Sequence, residues 1–298
     1  MATNGTSNGT AATNGHSTSV YFHTPTKDIG SPKRSHNMSP KIILYTNHRC
    51  PYAQRAHITL DTLNLSRSPP PSTPQPKLPI LTPLTPSLEY EEILIDLDTP
   101  RPQWYLDINP RGLVPSLKYS LPGIFDTPEI LTESGIVSQF LCDSFPSPLL
   151  PASKEDPFSA LKRARIAFFV DTWSSKIAPF QFQIIKAEGA EKETKVEECV
   201  KLMEKEIEPL LVGARPFFGG SGELTFAEVM TAPFLLRMFS FARDGELMPR
   251  SFGEKLEGLE NFGRWSKAVM ENGNVRKVYD EEAIVAATKK RVKQMASK

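Results

Sequence analysis

Cys50 stands between a polar stretch, Thr46-Asn47-His48-Arg49, and the run Pro51-Tyr52-Ala53-Gln54-Arg55. The apolar residues Ile42, Ile43, Leu44 and Tyr45 come just before. This order predicts a strand, a short basic loop, and a cysteine at the start of a helix whose first position is held by Pro51, where a missing N–H does no harm. A thiol in that place faces unpaired backbone N–H groups and the positive end of the helix dipole. Both favour the thiolate, which is the nucleophile. Arg49 and His48 bring further positive charge. A dithiol redox motif would carry a second cysteine three residues on, but that position is Ala53. The site cannot close its own disulfide, so a working thiol here needs an outside partner. The competing reading is inert packing, the usual fate of a lone cysteine, and the strand–loop–Cys–Pro–helix setting favours chemistry over it. His48, Cys50 and His57 match no tight tetrahedral spacing, and no metal site is expected.

The elements that must hold this thiol come from a chain of 298 residues, a length that suggests two domains. A formal charge of +1 speaks against a nucleic-acid partner. No apolar run approaches the ~18 residues of a membrane span, and the N-terminus lacks the charged start and apolar core of a secretory signal. Three cysteines, an odd number, suggest a reducing compartment. A cytoplasmic protein is expected.

Residues 1–39, rich in Asn, Thr, Gly, Ser and Pro, read as a disordered polar tail, since they hold too little apolar surface to offset ordering entropy. Residues 40–146 read as an α/β unit: a strand at 41–45, a helix over 51–63, a strand over 89–97, a short helix over 102–108, a strand over 113–119 opening at Pro115, a strand at 129–132 and a helix over 134–144. A cis Val114–Pro115 bond is in keeping with the Pro at the strand start. Within this unit, residues 66–87 hold eight prolines between Pro69 and Pro86 and read as an extended surface insertion. After a proline-containing linker, residues 157–298 read as all-helical, with helices over 157–186, 191–212, 261–270 and 280–296. Thr225-Phe226-Ala227-Glu228 is a capping box opening an apolar helix that reaches about residue 241, with Pro233 inside it.

Four signals now stand in one order: Cys50-Pro51-Tyr52-Ala53, Asn109-Pro110-Arg111-Gly112-Leu113-Val114-Pro115, Glu133-Ser134, and the downstream capping box. Together they resemble the glutathione transferase family, most of all its omega class and fungal relatives, over residues 41 to about 280. The resemblance implies a thioredoxin-like N-terminal domain followed by an all-helical C-terminal domain, and a homodimer. It implies Cys50 as the catalytic residue and glutathione as co-substrate. Val114 would precede the cis-proline, Pro115, and pair its backbone with the cysteinyl part. Glu133 and Ser134 would take the γ-glutamyl group, and Arg101 would stand where the omega pattern has a lysine for the glycyl carboxylate. The capping box carries Glu228 where the family has aspartate. Phe169 and Trp173, on an aromatic helix running from Phe168 to Phe180, would line the acceptor pocket with Phe239 and Arg243. The resemblance supports an enzyme acting on an electrophile or a mixed disulfide, by conjugation or thioltransferase reduction. Two alternatives are a glutathione-dependent cis–trans isomerase or conjugating enzyme of fungal secondary metabolism, and a non-catalytic glutathione-binding regulator.

Overall fold

β1 (Lys41–Thr46) is the middle of a five-stranded sheet. β2 (Ser66–Arg67) and β3 (Glu89–Leu94) lie to one side, with β3 parallel to β1 and β2 parallel to β3. On the other side β4 (Ser116–Ser120) runs antiparallel to β1, and β5 (Glu129–Thr132) antiparallel to β4. These come from a computed structural model that describes residues 39–67, 89–122, 124 and 127–296. The polar tail expected over 1–39 and the insertion expected over 66–87 therefore lie almost entirely outside the described residues; Ser66 and Arg67 form β2.

The period-2 alternation of β1 sends its side chains to two different layers. Ile42 and Leu44 pack with Ala56 and Leu60 of α1 (Pro51–Thr62) and with Val137 and Leu141 of α3 (Ser134–Ser144). Tyr45, with Ile43 beside it, faces Tyr105 of α2 (Gln103–Ile108), along with Ile95 and Val114. A strand covered on both faces leaves only its ends open, and the C-terminal end of β1 leads straight into Cys50. Val114–Pro115 is cis, as is Arg215–Pro216.

The rest of the described chain is helical: α4 (Ser159–Thr172), a π-helical turn (Trp173–Ile177), α5 (Ala178–Lys186), α6 (Gly189–Glu206), α7 (Phe226–Asp244), α8 (Arg250–Glu257), α9 (Glu260–Glu271), the one-turn α10 (Gly273–Arg276) and α11 (Glu281–Ala296). The helix expected over 191–212 stops at Glu206, and a 3-10 turn, Glu208–Leu211, follows around Pro209, which cannot donate to a continuing ladder. Every residue from Phe226 to Ala242 is buried, so α7 is wrapped on all sides and forms the axis of the helical half. Its capping box is formed: Glu228 accepts from the Thr225 N–H at 2.8 Å, and Ala227 N–H donates to Thr225 Oγ1 at 3.2 Å. The buried Glu228 carboxylate also accepts from the Phe218 N–H and Trp265 Nε1, which is why a longer acid serves here. Ile58 of α1 and Cys142 of α3 belong to the same apolar cluster as Phe169 and Leu235, so sheet-side and helical halves share a core. Among the described residues no helix is long and apolar enough to cross a membrane.

Candidate functional site

Cys50 caps the N-terminus of α1 with extended backbone (φ −84, ψ 122) and is partly exposed. Its N–H donates to Asn47 O at 3.0 Å, closing the tight loop after β1. Its thiol lies 3.8 Å from the Val114 carbonyl, on which it donates. The helix start and the turn before β4 therefore meet at this sulfur. The Val114 turn is braced from behind by α2: Tyr105 Oη donates to Leu113 O at 2.5 Å, and Asn109 Nδ2 donates to Leu113 O at 2.9 Å and to Ser116 Oγ at 3.0 Å. The other two cysteines are buried, and burial pushes Cys142 up to about 11 and Cys199 up to about 12.

Ser134 is the first residue of α3, and Glu133 before it takes φ 70 and ψ 118, backbone that L residues rarely adopt. The Glu133 carboxylate pairs with Arg111 at 2.5 Å, tying the Asn109–Gly112 turn to the start of α3. Ser134 Oγ accepts from Arg55 Nη1 at 3.1 Å, and Arg55 lies five residues after Cys50 on α1. Arg101 is already engaged. It donates from Nε to Gly112 O and from Nη1 to Asp96 O and Thr99 O, so its guanidinium closes the loop after β3 on the Gly112 turn. Cys50 thus meets Val114, Arg101 meets the turn at Gly112, Arg111 of that turn meets Glu133, and Arg55 of α1 meets Ser134.

Two buried arginines that sequence reasoning passed over complete this region. Arg237 of α7 donates to Gln54 Oε1 at 2.7 Å, to Pro233 O at 2.7 Å and to Arg49 O at 2.8 Å, with its guanidinium 5.4 Å from the Tyr279 ring centre. Gln54 in turn donates to His48 O and Val278 O, so the loop before Cys50 is fastened to α7 and to the segment ahead of α11. Arg55 donates from Nε to Met230 O at 2.9 Å and lies beside the rings of Tyr52 and Phe234, which touch each other edge to face. Among the described residues neither guanidinium has a carboxylate within ion-pair distance. Burial lowers both to about 10, and Cys50 is among the charges acting on each. The available signal was an arginine inside the apolar run of α7, since a charged residue on a helix buried all round needs a partner.

On the far side of the Cys50 loop, His48 Nε2 lies 3.1 Å and His57 Nε2 3.6 Å from Glu92 Oε1, while Arg67 pairs with the other Glu92 oxygen. The ring nitrogens of His48 and His57 and the Glu92 carboxylate oxygen are within 4.8 Å of one another. His57 also bonds Thr46 Oγ1 at 2.9 Å, and with Arg67 neutralising the carboxylate the group is an ion-paired brace between α1 and β3.

Residues 44–149 match the family model described as glutathione S-transferase, N-terminal domain. Among solved structures, glutathione transferase Omega 2C from Trametes versicolor superposes with a TM-score of 0.61 at 27% identity, covering 85% of this chain and 98% of that one. Mouse glutathione S-transferase omega-1 is 24% identical over 66% of this chain and 67% of its own length. Over these residues and in its fold the chain is similar to glutathione transferases, of the omega kind. Pyrimidodiazepine synthase of Drosophila melanogaster is 29% identical over 46% of this chain, a match that spans 43% of the synthase's length.

The acceptor pocket expected from the sequence needs correcting. Phe169, Trp173 and Phe239 are at most 2% exposed and pack into the core of the helical half, where Phe169 and Trp173 form an aromatic cluster with Phe262 and Trp265. They support α7 and line no open surface. Arg243, in the last turn of α7, is an exposed partner of Glu281. Helical spacing marked these residues as sharing a face but not which face looked inward. The exposed aromatics of this stretch are Phe168 and Phe182.

Proposed function

We propose that this protein binds glutathione along the rim formed by Arg101, Val114, Pro115, Glu133 and Ser134, and that Cys50 is the nucleophile in the reduction of glutathione mixed disulfides. The observation that carries the reading is the position of Cys50: a partly exposed thiol at a helix N-terminus, 3.8 Å from the Val114 carbonyl, with both other cysteines buried. Ala53 leaves it no neighbour with which to form a disulfide. The Cys50 thiolate attacks the glutathione sulfur of R–S–S–G, forming a Cys50–S–S–G bond and releasing R–S⁻, which takes up a proton. The thiolate of a second glutathione attacks that bond, releasing oxidised glutathione and restoring the Cys50 thiolate. The electrons come from that one glutathione, which leaves joined to the glutathionyl unit of the substrate as one disulfide.

Mixed-disulfide reduction and aryl-halide conjugation, assayed side by side in Cys50→Ala and Cys50→Ser, test this. Reduction is expected to fall by at least about 100-fold in both variants, as befits loss of a covalent nucleophile. Undiminished reduction in both overturns the assignment. A product that keeps the mass of glutathione points to conjugation, and an unchanged mass with altered geometry points to isomerisation. We place the enzyme in the cytoplasm as a homodimer. An exposed stripe of Phe158, Leu161 and Phe168 along α4 supports pairing, and a monomer by sedimentation would overturn it.

A further inference from the structure

Arg55 is a full positive charge at 7% exposure whose acceptors are the Met230 carbonyl and the Ser134 hydroxyl. Buried cations are ordinarily paired, because removing charge from water without a counter-charge is expensive. None of the described residues accepts from its Nη2. The rings of Tyr52 and Phe234 lie 5.3 and 4.9 Å from the guanidinium carbon and attract it without supplying a counter-charge. This is a held cation short of its anion.

Ser134 supplies the direction in which that anion is to be sought. A hydroxyl has one proton to give and two lone pairs to offer. Arg55 has only donors, so it occupies a lone pair of Ser134 and leaves the serine proton for another acceptor. Ser134 is itself 6% exposed, and no other side-chain bond uses it among the described residues. The backbone N–H groups of the first turn of α3 point the same way, as at any helix start. A hydroxyl forced to donate, N–H groups beside it and a buried cation behind it together specify a carboxylate.

We propose that Arg55 is a positioning residue for the α-carboxylate of the γ-glutamyl group, holding Ser134 as a donor toward it and completing its charge from behind. This rests on the reading of the rim as a glutathione site. Arg55 thereby selects γ-glutamyl thiols over thiols that lack this carboxylate, and couples the selection to α7 through Met230.

The test compares glutathione with its analogue 4-aminobutyryl-cysteinylglycine, which differs only in having hydrogen in place of the α-carboxylate. Dissociation constants are measured on the full chain for wild type, Arg55→Met, Arg55→Lys, Ser134→Ala and the Arg55→Met/Ser134→Ala double variant. Wild type is expected to prefer glutathione by about 10- to 100-fold, the range for hydrogen bonds to a charged group. Arg55→Met is expected to lose most of that preference while binding the analogue within about threefold of wild type, the scatter of a neutral substitution. Ser134→Ala loses the same preference, the double variant loses no more, and Arg55→Lys lies between. If the preference survives in Arg55→Met, or if both ligands weaken in proportion, Arg55 is merely structural and the proposal fails. Should Arg55→Met not fold, unchanged preference in both Arg55→Lys and Ser134→Ala overturns it equally. A wild type that binds neither ligand overturns the glutathione site itself and this proposal with it, a result distinct from the previous two.

Discussion

Single side chains decide most of the chemistry around the sulfur, and Arg237 is the one with the longest reach. It meets three acceptors at once, Arg49 O, Pro233 O and Gln54 Oε1, and two of these belong to the elements on either side of Cys50. Arg237→Met leaves Gln54 Oε1 and Arg49 O without this donor, while Pro233 O keeps its helical partner, so stability in urea is expected to fall by about 2–4 kcal/mol, with Arg237→Lys falling less. His57 is a second such residue. Burial pushes it down to about 4, against the pull of Glu92. For Glu92 burial pushes upward, but hydrogen bonds from His48 and Arg67 override this and bring it to about 2. With its folded value depressed, His57 is neutral in the native state while the unfolded chain takes up a proton near the ordinary 6.5. Its contribution is complete above about pH 6.5 and is lost as pH falls to about 4, on the order of 3 kcal/mol in all. Glu92 follows below about pH 4.5, with the same sign. Melting curves across pH 7 to 4 are expected to show this acid slope in wild type and a much shallower one in His57→Gln.

At the level of elements, the sheet-to-helix passage through Cys50 was legible because each of its parts is local. A buried strand, a turn, a capping cysteine and an N1 proline all act within a few residues of one another. The Thr225–Glu228 capping box was legible for the same reason. What escaped was set by partners distant in sequence. α8 falls between the helices expected from the sequence, and it is held by Phe252 and Leu256, which bury against the helical core. The Phe169–Trp173–Phe239 set was assigned to the wrong surroundings because a helical period is the same for a core and a pocket. Arg101 was located by its motif, but its use of three backbone carbonyls depended on how the loop after β3 closes. Glu133 shows an element boundary under strain. Its φ of 70 is native to glycine, and such a position costs on the order of 1–3 kcal/mol. Glu133→Gly is expected to melt at or above wild type, and above Glu133→Ala, while glutathione binding weakens in both. A Glu133→Gly that melts well below Glu133→Ala would show that the backbone there is unstrained.

Across the whole molecule, the α/β unit and the helical half could be anticipated from the change of period along the chain, but their shared core could not. Ile58 and Cys142 look like ordinary members of α1 and α3 until α7 is laid against them. That arrangement turns the three cysteines into a ruler for motion. Cys50 is open in the native protein, Cys142 is covered where α3 meets the helical core, and Cys199 is enclosed on α6 within it. A thiol-modifying tag is therefore expected to add one mass unit quickly and two more only through opening events. The order of the second and third additions, followed by intact mass at rising urea, separates parting of the halves from melting of the helices. If Cys142 is tagged first at low urea, the halves come apart as a hinge. If both are tagged together, the chain opens as a single cooperative body, and the molecule reports its own unfolding without any foreign label built in.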